Sequence, residues 1–181
     1  MTTCSICGRL SLNQNKALLN KGKVIDFNQT YGYGEALEAL VGLRAINVRN
    51  LTQTEARLFD FDEQDIPALV LSNGTLLIAS QDDEGNGPGR LILANWDNNN
   101  FEQNEGSLET LQELVGFDVK NFRDVSDTES RELGFNRAFG VPDLLVFSNG
   151  KLLVAAGRDG VERPGTIFLG KWSGQLDAPQ A

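Results

Sequence analysis

Leu40-Val41-Gly42 returns 74 residues later as Leu114-Val115-Gly116, and this recurrence decides how the rest of the chain is organised. Ser72-Asn73-Gly74 returns as Ser148-Asn149-Gly150, at an offset of 76. A repeat on this scale is the sequence signature of one structural unit used twice. The sequence therefore predicts a leader, 1–22, followed by two similar units, 23–89 and 90–181. Further matches at offset 74 are Asn47/Asn121, Arg49/Arg123, Thr54/Thr128, Glu55/Glu129 and Arg57/Arg131.

Each unit has the pattern of a strand, a helix, a strand, a helix and a hairpin. Thr52-x-x-Glu55 and Ser126-x-x-Glu129 are capping boxes, which begin helices because both side chains accept backbone N–H groups. Asn73-Gly74 and Asn149-Gly150 favour hairpin turns because both residue types tolerate positive φ. Alternation of helices with strands predicts an α/β fold, built as two tandem β-α-β-α-β-β units with mixed sheets.

Three segments outside these matched elements carry their own predictions. Ser11-x-x-Gln14 is a capping box and predicts a helix over 11–20. The polar stretch 97–106 is predicted to be a loop. The apolar stretch 166–172 is predicted to be a strand with a free edge, because its counterpart 90–96 both ends unit one and opens unit two. A free edge invites pairing with another chain; the alternative is that 166–172 folds back onto its own sheet.

The motif Val141-Pro142-x-Leu144-x-x-Phe147-x-Asn149-Gly150 resembles the cis-proline strand and hairpin of thioredoxin. Ile66-Pro67-Ala68-Leu69-Val70 resembles that strand again, and Lys23-Val24-Ile25-Asp26-Phe27 resembles the strand that leads to the redox loop. The resemblance covers most of residues 23–155. Neither unit has a cysteine at the redox position, so both units are similar to the redox-inactive thioredoxin-like domains of protein disulfide isomerases.

The resemblance also implies a binding site beside each proline. In the thioredoxin-like family the backbone next to this proline pairs with an extended substrate, which implies binding roles for Ile66 and Pro67 in unit one and for Val141 and Pro142 in unit two. Each proline is expected either as the family's cis form or as a trans proline at the first residue of a strand, which strands also permit.

Trp96 and Trp172 occupy equivalent ends of the strands that close each unit. Their equivalence in the repeat indicates that they pack against the edge of a core. The alternative is that they bind a partner, because exposed tryptophan is a common anchor of protein interfaces. Both residues therefore count as candidate binding residues.

Cys4-Ser5-Ile6-Cys7 is the chemically sharpest motif in the chain, and three interpretations stay open for it. A Cys-x-x-Cys pair beside a thioredoxin-like pattern is typical of a redox site. Zinc needs four ligands, so Cys4 and Cys7 would hold it only together with a second chain in an intermolecular site, or with added carboxylate ligands. The third interpretation is a pair of reduced thiols. A thiol-disulfide oxidoreductase or redox sensor that uses Cys4 and Cys7 is the alternative function.

The composition narrows the function by exclusion. The net charge is −9 and the pI is about 4.5, which argues against nucleic acid and against anionic membranes as partners. The N-terminus lacks the apolar stretch of a signal peptide, so we expect a cytoplasmic protein. The chain contains no histidine, which excludes Ser-His-Asp and Cys-His catalysis within one chain. No cofactor is expected.

These features favour a non-catalytic binding, structural or assembly protein. Its expected partner is another protein or a second copy of the chain, in a homo-oligomer. A place in a larger particle such as a virion agrees with a small acidic repeat protein, although no residue demands it.

Overall fold

The computed structural model describes residues 14–20, 23–82, 87–97, 100–157 and 163–172. Its helices are short: α1 (Glu35–Glu38), α2 (Gln53–Leu58), α3 (Leu108–Leu111) and α4 (Asp127–Glu132), with 3-10 turns at Gln112–Leu114 and Arg137–Phe139. The strands are β1 (Gln14–Asn20), β2 (Lys23–Tyr31), β3 (Ala45–Asn50), β4 (Pro67–Leu71), β5 (Leu76–Ser80), β6 (Arg90–Asp97), β7 (Asn100–Glu105), β8 (Val119–Asp124), β9 (Asp143–Phe147), β10 (Leu152–Ala156) and β11 (Thr166–Trp172).

The strands form two antiparallel sheets. Sheet A has the order β1-β2-β11-β5-β4-β3, and sheet B has the order β7-β6-β10-β9-β8. Every strand pair among the described residues is antiparallel. The predicted α/β class with mixed, thioredoxin-like sheets is therefore wrong, because a mixed sheet requires a parallel pair and the helices here span only four to six residues.

Two segments that were predicted as a helix and a loop are edge strands. The predicted helix over 11–20 is wrong, because Gln14–Asn20 forms seven consecutive pairs with β2, and tertiary pairing of this extent overrides a local capping signal. The predicted loop over 97–106 is wrong because Asn100–Glu105 pairs with β6. A polar edge strand lacks the apolar alternation by which strands are identified in a sequence.

The two sheets pack face to face and are each covered on the outside. Leu69 and Leu77 of sheet A and Leu145 and Leu153 of sheet B belong to one cluster that fills the space between the sheets. The outer face of sheet A carries a second cluster with the segment 51–66, and the outer face of sheet B carries a third with the segment 125–135. All five residues of β5 and all five of β10 are buried, because both faces of these strands are covered.

The strand that ends each unit pairs in the sheet of the other unit. Both halves follow the same order, β3-α2-β4-β5 and β8-α4-β9-β10. However, β6 follows β5 in the chain but pairs with β10, and β11 follows β10 but pairs with β5. The predicted free edge of 166–172 is wrong, because β11 lies between β2 and β5 and is paired on both sides. The alternative, in which this strand folds back onto its own chain's sheet, is what the structure has.

Two glycines make this exchange possible, at the point where the connections into β6 and β11 cross. A Cβ atom on Gly89 would lie 2.4 Å from the carbonyl oxygen of Ser80, and one on Gly165 would lie 2.5 Å from that of Ala156. Glycine is the residue that allows so close an approach of one backbone to another. The Pro88-Gly89 and Pro164-Gly165 pairs of the repeat therefore mark the crossing.

We expect Gly89→Ala and Gly165→Ala each to lower the free energy of unfolding by about 1–3 kcal/mol, the usual cost of overpacking, because the new methyl group meets backbone that cannot move aside. Urea denaturation of each variant measures this loss. Gly157→Ala is the control, since its Cβ would first meet the Arg163 Cβ at 3.3 Å. We expect that variant to lose less than about 1 kcal/mol. Wild-type stability in both crossing variants would contradict the steric argument.

Candidate functional site

A cleft with a volume of about 400 Å³ opens beside the crossing, where the chain enters β11 and β9. Residues from four separate parts of the sequence form its walls. They are Tyr33, residues 81–82 directly after β5, residues 139–143 before and at the start of β9, and Gly157 with residues 163–167. The strand exchange is what brings these parts together, because β11 belongs to sheet A whereas β9 belongs to sheet B.

The walls combine an aromatic ring with groups of both charges. The Phe139 side chain is 51% exposed, and the guanidinium carbon of Arg163 lies 4.9 Å from the centre of its ring, within the distance of a cation–π contact. Asp82 and Asp143 contribute carboxylates. The Tyr33 hydroxyl, also in the wall, lies 3.2 Å from the Thr166 hydroxyl. The arrangement offers stacking and hydrogen bonding together.

Local backbone chemistry holds Phe139 at the mouth of the cleft. The side-chain oxygen of Asn136 accepts a hydrogen bond from the Ala138 N–H at 3.0 Å and so begins the 3-10 turn Arg137–Phe139. Gly140 ends the turn with φ 114° and ψ 179°, a conformation that is essentially restricted to glycine. The ring is therefore presented by a defined turn.

Unit one has the counterpart of this cleft, but its volume is only about 60 Å³. It is lined by Gly89, Arg90 and Leu91, which match Gly165, Thr166 and Ile167 at offset 76. The long side chain of Arg90 stands where Thr166 stands in unit two, and its Nη1 lies 3.8 Å from the Glu105 Oε1. An arginine that is directed towards a carboxylate fills space that threonine leaves open.

The two clefts also differ in the length of the loop beside them. The Leu51 N–H donates to the Ile66 carbonyl at 2.9 Å, and the equivalent Val125 N–H donates to the Pro142 carbonyl at 3.1 Å. Pro142 therefore takes the place of Ile66 rather than that of Pro67. The loop 136–141 is consequently two residues longer than its counterpart 62–65, and the extra length carries Phe139.

The four binding residues predicted beside the prolines lie in two different clefts. Val141 and Pro142 line the large cleft, whereas Ile66 and Pro67 line the small one. The two prolines are not equivalent positions of the repeat, because they differ by one residue in register. No peptide bond among the described residues is cis, so Pro67 and Pro142 have the trans form. Substrate binding by the four residues stays a prediction.

The other predicted residues lie away from this cleft or outside the described residues. Trp96 is 42% exposed and packs edge-to-face on Phe101, with 4.8 Å between ring centres. Trp172 is the last residue of β11, and its backbone pairs with that of Phe27. Cys4 and Cys7 lie outside the described residues, so their redox and zinc roles stay predictions. In the described ranges no three His, Cys, Asp or Glu side chains form a metal-binding group.

The cleft residues Tyr33, Asp82, Phe139 and Arg163 were not identified from the sequence. They lie up to 130 positions apart, and no local motif connects them. One signal was available: the offset between the repeats rises from 74 to 76 before the second hairpin. That change reports the two inserted residues of the loop, although it does not say that the loop borders a cleft.

Two buried carboxylates lie outside the cleft and have a structural role. Glu55 and Glu129 are 1% and 4% exposed, and each forms a two-pronged ion pair, with Arg49 at 2.7 Å and with Arg123 at 2.6–2.7 Å. Each also closes the predicted capping box of its helix. The hydrogen bonds from Arg123, helped by those from Ser126, outweigh burial and lower the pKa of Glu129 to about 2.

Comparisons with known proteins identify no relative. No family model, curated protein or solved structure matches the chain. The suggested relationship to the thioredoxin-like family is therefore untested by these comparisons. Among the described residues, no helix has the length and apolar character that a membrane span requires.

We expect the free energy of unfolding to decrease as the pH is lowered, because Glu129 becomes protonated. Its pKa is lowered in the folded state, so the ion pair stabilises the fold fully above the ordinary value of 4.5 and is lost as pH falls towards 2. Urea unfolding between pH 6 and pH 2 should show wild type losing on the order of 2 kcal/mol more than Glu129→Gln, with partial exposure of Arg123 reducing the full linkage value.

The control is Glu132→Gln, an exposed position at the end of the same helix. Its stability should follow wild type across the whole range. At pH 7, Glu129→Gln should be less stable than wild type, because it leaves Arg123 without its charged partner. Parallel pH curves for wild type and Glu129→Gln would contradict the role given to this carboxylate.

Proposed function

We propose that the protein is a non-catalytic binding protein and that the cleft beside Phe139 holds its ligand. The observation that supports this most is the difference between two clefts that the repeat places in equivalent positions. One has a volume of about 400 Å³ and the other about 60 Å³. A crossing that served only to join the sheets would not need one of them open.

Three separate features keep the larger cleft open. Thr166 replaces the arginine that fills the smaller cleft, the loop 136–141 is two residues longer, and Gly140 turns that loop so that Phe139 faces the opening. Each acts on the same volume. Their coincidence supports selection for a ligand rather than a side effect of the repeat.

The walls suit binding because most of them are already fixed. Pro142, Pro164 and Gly165 lie in backbone that the two sheets hold in place, so little conformational entropy is lost when a ligand enters. Preformed clefts with a few convergent polar groups are typical ligand sites. A partner protein, a second copy of the chain or a neighbour in a larger particle could each supply the bound group. A cytoplasmic location is part of the same proposal.

We expect Thr166→Arg to close the cleft, because it installs the residue that fills the unit-one counterpart. Ligand-observed NMR with a collection of cationic, anionic and neutral fragments is the measurement. Fragments that bind wild type should lose at least tenfold in affinity in Thr166→Arg. Thr54→Arg, the same change on an exposed position of α2, should bind as wild type does.

Thr166 is only 7% exposed, so an arginine there could disturb the fold instead of closing the cleft. Phe139→Ala avoids this difficulty because its ring is half-exposed, and it should weaken the same fragments. Urea denaturation first establishes that each variant is folded. Equal fragment binding by wild type and both variants, or no fragment binding at all, would refute the proposal.

A further inference from the structure

We infer that the cleft recognises a guanidinium group, and that Arg163 of the chain itself occupies the position of that group in the unliganded protein. The inference rests on the proposed function and specifies the chemistry of its ligand. The stacked contact between Arg163 and Phe139 is the observation from which it starts.

The Phe139 ring already accepts a guanidinium. Arg163 lies with its guanidinium carbon 4.9 Å from the ring centre, and half of the side chain of Phe139 remains exposed around it. A planar, weakly hydrated guanidinium stacks on an aromatic face better than a compact ammonium does. The ring at the mouth of the cleft thus has the chemistry of a receptor for this group.

Arg163 can leave the ring without disturbing the fold. Its backbone is held by the hydrogen bond from the Gly157 N–H to the Arg163 carbonyl, at 2.8 Å. Arg163 is exposed, and in the described part of the chain no carboxylate forms an ion pair with its guanidinium. The contact with Phe139 is therefore an exchangeable one, worth about as much as a similar contact from a ligand.

The charge of the walls favours a cation over an anion. Asp82 and Asp143 line the cleft together with Arg163, so displacing the Arg163 side chain leaves two carboxylates and no lysine or arginine among the lining residues that the structure describes. A carboxylate has about four lone-pair positions and can accept a further donor even when it is already bonded. The chain as a whole carries −9, which attracts cations and repels anions.

The small cleft of unit one lacks the counterparts of Arg163 and Phe139. At offset 76 the counterpart of Arg163 is Gly87, and Phe139 lies in the part of the loop that unit one lacks. The stacked pair, both carboxylates and the open volume therefore occur together at only one of the two clefts. Their joint presence in one of two equivalent positions is what points to a specific ligand.

The test is a titration of the full chain, followed by amide NMR, with four small probes: the N-acetyl amides of arginine, citrulline, lysine and glutamate. Citrulline is the neutral shape-match of arginine. The arginine probe should shift the amides of Gly165 and Thr166 and bind at least tenfold more tightly than the citrulline probe. The lysine probe should bind more weakly than arginine, because it stacks less well.

Two variants separate a stand-in from a ligand-binding residue. Arg163→Gln should raise the affinity for the arginine probe severalfold, because the competing side chain is gone. Phe139→Leu should lower it at least tenfold while keeping an apolar side chain. Arg57→Gln, an equal change of charge on the exposed face of α2, is the control and should leave the affinity unchanged.

The possible failures are distinguishable. If the glutamate probe binds best and Arg163→Gln abolishes that binding, Arg163 holds an anion and the inference is overturned, although the proposed function stands. If fragments bind the cleft but the arginine probe does not, the result is the same. If nothing binds, the proposed function fails as well. Comparison of methylguanidine with acetyl-Gly-Arg-Gly-amide distinguishes a small guanidinium compound from an arginine on a partner protein, and binding of either supports the inference.

Discussion

The close approach of two backbones at Gly89 and Gly165 is the constraint on which the rest of the molecule depends. Each glycine N–H donates to a carbonyl just ahead of the crossing, Gly89 to Ala79 at 2.9 Å and Gly165 to Ala155 at 3.0 Å. This contact lets each unit's last strand enter the other's sheet. The exchange places β11 beside β5 and β6 beside β10, and so completes the burial of β5 and β10. It also sets the location of the cleft, because residues 163–167, which lead into β11, form part of its wall.

The two halves also contact each other directly before β3 and β8, where equivalent positions of the repeat lie opposite each other. Arg44 and Asp118 are 74 residues apart and form an isolated bridge, with 2.8 Å between Nε and Oδ1. The hydrogen bond from Arg44 lowers the pKa of the Asp118 carboxyl. Identical halves would place like residues opposite each other here. Opposite charges at this contact show that the halves have diverged to fit one another, as the unequal clefts also show.

The sequence predicted most of the turns and helix starts correctly and the long-range strand pairing poorly. The capping boxes at Thr52 and Ser126 and both Asn-Gly hairpins form as expected, because their partners lie within a few residues of each other, whereas the capping signal at Ser11 was overridden by the pairing of β1 with β2. The partner of β11 was predicted wrongly, since nothing in an apolar strand specifies which edge it joins. The polar strand β7 was not predicted, because an edge strand needs no apolar alternation. The cleft could not be predicted, because Tyr33 and Arg163 are distant in the sequence and only the strand exchange brings them into one wall.

The exchange also determines when the protein can finish folding. Thr166 pairs with Ser80, so the inner edge of β5 gains its neighbour only from a segment more than 80 positions further along the chain. Pairings of such separation pay a large loop-closure cost before they contribute, which slows folding. During synthesis from the N-terminus, β5 therefore has one unpaired edge while most of the second unit is being translated. An apolar strand with an unpaired edge attracts chaperones and other unpaired strands.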